Sequence, residues 1–199
     1  MNNRTKGDGQ DLSRNERRKQ ETRRKLNEAA LQLVFEKGYD RVTIQDIVDR
    51  ADLGRGTFYV HYRDLQDILW DIIQDGLSES LLIGEARAAE TSDRSGYLGY
   101  RVTFETAARH RDLYKVMLGS RGSSLITHRV ADYLASAIQQ SIEQKGYLSD
   151  LDYPPQLLAQ YLVGALMRLV LWWLETPNEY SPTEMADMVF ELIHRKRRV

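Results

Sequence analysis

The chain has 199 residues and no cysteine, which excludes disulfides, thiolate zinc sites and cysteine nucleophiles. Its 28 Lys and Arg nearly balance 29 Asp and Glu, but unevenly: residues 1–65 carry 14 basic against 11 acidic side chains, and residues 66–199 carry 14 against 18. The net charge of −1 therefore hides a basic N-terminal end, densest from Arg14 to Lys25, of the kind a nucleic-acid partner requires.

Residues 1–12 are polar, hold two glycines and lack apolar periodicity, so a disordered arm is expected there rather than a signal peptide. No uninterrupted apolar run reaches the roughly 18–20 residues that a bilayer demands. A soluble, cytoplasmic protein is the expectation. Leu26, Ala29, Ala30, Leu33 and Val34 then follow helical spacing and predict helix one over 14–37, ended at Gly38 by a left-handed residue. Thr43 is placed to cap a second helix over 44–51 by accepting from the amide of Asp46. Leu53-Gly54 is expected to make the turn into a third short helix, 55–62, with Phe58 and Tyr62 on one face.

Asp64 is expected to cap a long fourth helix from Leu65 to about Ala89, with Ile68, Leu69, Ile72, Ile73, Leu77 and Leu81 inward. Three more helices are predicted at about 97–110, 111–119 and 123–145, the last with Leu125, Val130, Leu134, Ala137 and Ile138 on one side. Tyr153-Pro154-Pro155 forces a break, and Gln156–Glu175 is apolar around nearly its whole circumference. Pro182 restarts a final helix that runs into the basic Arg195–Arg198. With no period-two segment, the fold class is all-α with about nine helices.

The block Thr43–Tyr62 has the three parts that a helix-turn-helix needs: two short helices, a tight turn and apolar locks. Ile44, Ile47, Val48 and Ala51 pack inward, and Phe58 and Tyr62 anchor the second helix. That leaves Arg55, Gly56, Thr57, Tyr59, Val60 and His61 facing out. Arginine can pair with guanine edges, threonine can touch bases or a thymine methyl, and tyrosine and histidine can hold phosphates.

These residues resemble the TetR family of repressors, named for the tetracycline repressor. The resemblance rests on Ala29 through Tyr39, Thr43-Ile44-Gln45-Asp46-Ile47-Val48, Ala51 and Gly56 through Tyr62, and it spans about residues 16–70. In the remainder it extends only to helix order and to Leu171–Glu175. It implies a DNA-binding domain over 13–63, an effector-binding and dimerisation domain over 64–199, and a homodimer that leaves a palindromic operator when a small molecule binds. By position, Thr43 would contact phosphate, Arg55 and Thr57 would reach bases, Gly56 would lie on the same face, and Tyr59 and His61 would clasp the backbone. Where the family often carries lysine near the start of helix four this chain has Leu65, and Arg63 stands in for it.

In the C-terminal part, an all-round apolar helix needs burial on two sides, which a second copy supplies. Leu157, Tyr161, Gly164, Trp172 and Trp173, with Met188 and Leu192 of the last helix, are expected in a dimer seam across a two-fold axis. The family plan puts an effector pocket among helices four to eight, where Tyr97, Tyr100, Phe104, Tyr114, Met117, Leu118, Tyr133 and Met167 suggest a lipophilic or aromatic effector. An alternative keeps DNA binding but replaces the effector with a protein partner, or with none. His110, His128 and His194 lack metal-ligand spacing, no cofactor motif is present, and no catalytic frame argues for an enzyme.

Overall fold

The computed structural model describes residues 13–91, 96–119, 123–146, 148 and 152–194. The arm expected over 1–12 and the run Arg195–Arg198 lie outside them. Among the described residues the chain is all helical: α1 (Arg14–Lys37), α2 (Ile44–Ala51), α3 (Arg55–His61), α4 (Leu65–Thr91), α5 (Tyr97–Arg109), α6 (Arg111–Leu118), α7 (Ser124–Lys145), α8 (Pro155–Glu175) and α9 (Pro182–His194), with a 3-10 turn at Tyr39–Arg41.

α1 starts with a capping box, in which the Ser13 hydroxyl accepts from the Glu16 amide and the Glu16 carboxylate accepts from the Ser13 amide. Its first buried residue is Leu26, so the first three turns stand clear of the core. Leu26, Ala29, Ala30, Leu33 and Val34 meet Ile47, Val48 and Ala51 of α2 and Phe58 of α3 in one core that continues into the rest of the chain. Glu36 accepts two hydrogen bonds of 2.8 Å from the Arg50 guanidinium, fastening α2 to α1 from the outside.

The turn between α2 and α3 falls at Leu53-Gly54 as expected and takes in Asp52 as well. The left-handed residue is Asp52, at φ 54 and ψ 51, whereas Gly54 is extended at φ −84 and ψ 152. Aspartate tolerates the left-handed region better than most side chains do, and the Leu53 amide closes back on the Val48 carbonyl at 2.9 Å. Gly38 does need to be glycine. Its φ of 81 and ψ of 155 lie in a region that is essentially closed to other residues, not in the left-handed helical well that its place after α1 suggests.

α4 joins the two halves, packing on α1 as well as on α5 and α7. Three helices meet at Tyr62, just past α3. Its hydroxyl lies 2.7 Å from Asp71 Oδ2 and 2.8 Å from Asn27 Oδ1, and it accepts from Arg23 Nε at 3.2 Å. Arg23 also pairs with Asp71. Burial, then the Asp71 hydrogen bond, pushes the Tyr62 phenol up to about 12, so it stays a neutral donor.

In the C-terminal part α7 packs along α8 and α9 along α5. The inward position at the start of α7 belongs to Ile126, 3% exposed, while Leu125 is 57% exposed, because Ile126 and not Leu125 stands one turn before Val130. α8 is long and apolar enough to cross a membrane, contrary to the reading of uninterrupted runs, since Gln160 and Arg168 only dilute its apolar stretch. Here Leu158, Ala159, Leu162, Val163, Val170, Trp173 and Leu174 are buried within the protein. Arg111 of α6 donates to the Leu174 carbonyl at 2.8 Å, satisfying the last turn of α8.

The two turn glycines separate in their expected effect on stability. Gly38→Ala must hold a side chain in a glycine-only conformation and is expected to cost about 1–3 kcal/mol. Gly54→Ala meets no atom within 4 Å and is expected to change stability by only about 0.5 kcal/mol or less. Urea unfolding of the two variants measures both values, and equal losses would contradict the assignment.

Candidate nucleic-acid interface

α3 turns one side inward and the other out. Phe58 is fully buried, whereas Tyr59 is 58% and Val60 74% exposed, with Arg55 and Gly56 also exposed and Thr57 and His61 half-buried. A Cβ on Gly56 would meet no protein atom within 4 Å, so the backbone there is open to whatever approaches. The sequence-predicted residues of α3 are therefore accessible around most of the helix, leaving only the side of Phe58 closed, with an apolar valine among polar neighbours.

Arg55 is already oriented. Its Nε donates to Gln45 Oε1 at 2.6 Å, and Gln45 Nε2 donates to Asp49 Oδ1 at 2.6 Å. Sequence reasoning does not single out Gln45 or Asp49, although their i,i+4 spacing is an available sign.

Thr43 caps α2 as expected, and that capping commits its hydroxyl. Its hydroxyl hydrogen goes to Asp46 Oδ2 at 2.5 Å and its oxygen accepts from the Asp46 amide at 3.2 Å, so the hydroxyl has no donor left for a phosphate. Lys37, 2.7 Å from the same carboxylate oxygen, is the largest of the causes that hold Asp46 well below the usual range. The groups still open at this end of α2 are the amides of Ile44 and Gln45, which have no acceptor among the described residues.

Arg63, with a side chain 84% exposed, pairs with Asp67 at 3.1 Å, and Asp64 Oδ1 accepts from the Asp67 amide at 2.8 Å as the expected cap of α4. Beside it lies a cleft of about 460 Å³ whose wall includes Lys19, Arg23, His61, Trp70 and Asp71. It brings the projecting basic turns of α1 against the end of α3, a juxtaposition that spacing along the chain does not reveal. Burial, then Arg23 and Lys19, hold His61 below the ordinary imidazole value. The floor is tied to α7, because the Arg129 guanidinium sits 4.3 Å above the Trp70 ring and Tyr133 meets that ring edge-on at 6.0 Å.

Of the residues expected to line an effector pocket, all but Tyr97 belong to the main core or pack against it, each beside its own neighbours. Tyr97 and Tyr100 lie edge-on to Phe190, and the Tyr97 hydroxyl donates to Asp187 at 2.6 Å. Phe104 meets Trp173, Tyr133 pairs with Ser78 Oγ at 2.8 Å, and Met167 sits in the seam between α7 and α8. Tyr114 and Met117 are buried and Leu118 is half-buried in the main core. Burial alone pushes the Tyr114 phenol up to about 12.

On the far side, Leu157, Tyr161, Gly164 and Trp172 of α8 and Met188 and Leu192 of α9 are exposed. Trp173 is a correction. It is 4% exposed, donates to the Tyr180 carbonyl at 2.9 Å and packs on Phe104, because adjacent residues on a helix point about 100° apart and Trp173, not Trp172, shares the buried side of α8 with Val170 and Leu174.

Comparison with known proteins gives a consistent result. Residues 26–70 match the family described as "Bacterial regulatory proteins, tetR family", and residues 97–195 match "Transcriptional regulator C-terminal region". An uncharacterised helix-turn-helix transcriptional regulator of Bacillus subtilis, YxbF, is 24% identical over 176 residues, covering 86% of this chain; the chain spans 44% of that relative's length. A TetR-family transcriptional regulator from Syntrophomonas wolfei has a similar fold, with a TM-score of 0.73, 22% identity, and 87% of this chain and 93% of that one covered. So does the regulator FadR from Bacillus subtilis, solved in complex with stearoyl-CoA, with a TM-score of 0.66, 18% identity, and 85% and 96% covered.

A phosphate placed against His61 would stabilise its charged form, so such a complex would take up a proton that the free protein resists. Affinity for duplex DNA is expected to rise as pH falls from about 7.5 to about 6, and His61→Gln to lose that part of the slope. Fluorescence anisotropy at fixed salt measures it, and an identical slope in the variant would remove His61 from the contact.

Proposed function

The chain belongs to the TetR family of bacterial transcriptional regulators, and on that footing we propose that it is a homodimeric, cytoplasmic repressor that grips a palindromic operator and is released by a small lipophilic or aromatic effector. Residues 13–63 bind the DNA, and 64–199 bind the effector and the second subunit. The observation that carries the reading is the outward face of α3, where Arg55, Gly56, Thr57, Tyr59 and His61 are accessible while Phe58 alone goes fully into the core. Arg55 and Thr57 reach base edges, Tyr59, His61 and Arg63 hold phosphates, and the start of α2 at Thr43 offers backbone amides to another.

Two copies are needed to place two such helices about 34–36 Å apart in successive major grooves. The exposed stripe of α8 from Leu157 to Trp172, largely apolar but interrupted by Arg168, supports that pairing. It runs beside the end of α9, where Ile193 packs against the cluster of Leu158 and Leu162, so Leu192 lies at the same end. A lipophilic effector is supported by the stearoyl-CoA bound to the structurally similar FadR. A second reading, with a protein partner or no effector at all, is favoured by close packing at the expected pocket: Tyr100, Phe104 and Met117 are at most 3% exposed.

Electrophoretic titration of the full chain against DNA flanking its own gene, at moderate salt with competitor, should give a specific shift. A shift that unrelated duplex abolishes equally well would refute the reading. Leu157→Asp with Leu192→Asp places charges in the seam and is expected to yield monomers by sedimentation, with operator affinity at least about tenfold lower. A double variant that remains dimeric would move the seam elsewhere.

A further inference from the structure

We infer that Gln45 and Asp49 of α2 buttress Arg55 so that its guanidinium selects a guanine in each operator half-site. The inference rests on the DNA-binding reading above and adds which base is read, and by what device. Arg55 Nε is occupied by Gln45 Oε1 at 2.6 Å, and neither terminal amino group has a partner among the described residues. What remains is the end-on fork of two parallel N–H donors. Guanine presents two acceptors, O6 and N7, to the major groove, which match that fork; adenine replaces one of them with an amino donor and repels it.

In this arrangement Gln45 is committed to Arg55 before any base is met, with one lone pair and one hydrogen of its amide already in use. A glutamine that recognises adenine must accept with its oxygen and donate with its nitrogen. Here the oxygen takes the Arg55 hydrogen and the nitrogen is held by Asp49 Oδ1 at 2.6 Å. Asp49 would otherwise be hard to explain on this face, since it forms no ion pair among the described residues and an unpaired carboxylate opposes a polyanion. Its charge fixes which end of the Gln45 amide points at Arg55. The base of the buttress is rigid, because Ile47 and Val48 are at most 1% exposed and the Arg50–Glu36 fork holds α2 to α1. An arginine so held forfeits less rotamer freedom on meeting a base than a free one.

The test is selection of full-length protein against a duplex pool with randomised half-sites, followed by affinity measurements with guanine or adenine at the enriched position. Wild type is expected to prefer guanine by roughly ten- to a hundredfold, and Arg55→Ala to abolish the preference. Gln45→Ala and Asp49→Ala should lower the guanine-to-adenine ratio about three- to tenfold beyond any loss of total affinity. Gln45→Glu keeps an acceptor for Arg55 Nε and should retain the ratio even as the added charge weakens binding overall. The proposal is overturned if the position lost with Arg55→Ala is not guanine, if Gln45→Ala leaves the ratio intact, or if it erases an adenine preference elsewhere in the site. If wild type enriches no sequence at all, it is the DNA-binding reading that fails.

Discussion

A helix of seven residues does not hold its shape in water, where isolated helices shorter than about 12–15 residues are marginal. α3 exists because Phe58 is buried among α1, α2 and the start of α4, and because Tyr62 closes its far end. That one anchorage decides which side of α3 faces out. The exposure of Arg55, Tyr59 and His61 is its geometric consequence.

The same anchorage joins the exposed face of α3 to the rest of the chain. The Tyr62 hydroxyl is shared among Asn27 on α1, Asp71 on α4 and Arg23, which itself pairs with Asp71. α4 cannot turn against α1 without straining this set, and the strain falls next to the last residues of α3. From the other direction Arg129 of α7 covers Trp70 and makes a small addition to the hydrogen bonds from Arg63, which are the main cause that holds Asp67 below the ordinary carboxylate value. A repacking around α7 therefore has a short physical route to the end of α3, through side chains in contact.

Much of the site is legible in the amino-acid sequence. The apolar spacing of Leu26 to Val34 and of Ile47 to Ala51 allows only one buried face, and with Phe58 assigned inward the exposed residues of α3 follow. Whatever depends on distances between helices is not legible in this way. Gln45 belongs to the motif, but its part in the site comes from lying 2.6 Å from a residue ten positions away. The Thr43 hydroxyl has the chemistry for phosphate binding as well as for capping, yet one hydroxyl hydrogen cannot serve both, and Asp46 takes it. For the expected pocket residues, chemistry and helix order do not tell whether a ring faces a cavity or another ring.

Local periodicity, capping and breakers act within a few residues, and they are enough to give the number and order of the helices, their limits to within a residue or two, and the motif that marks the family. They do not reach further. That Asp52 rather than Gly54 makes the left-handed turn, that Trp173 faces the core while Trp172 faces out, and that Lys19 lies beside His61 were settled only by the folded packing. Those outcomes turn on how helices far apart in the chain approach one another, and periodicity within one helix says which residues share a face but not what that face will meet.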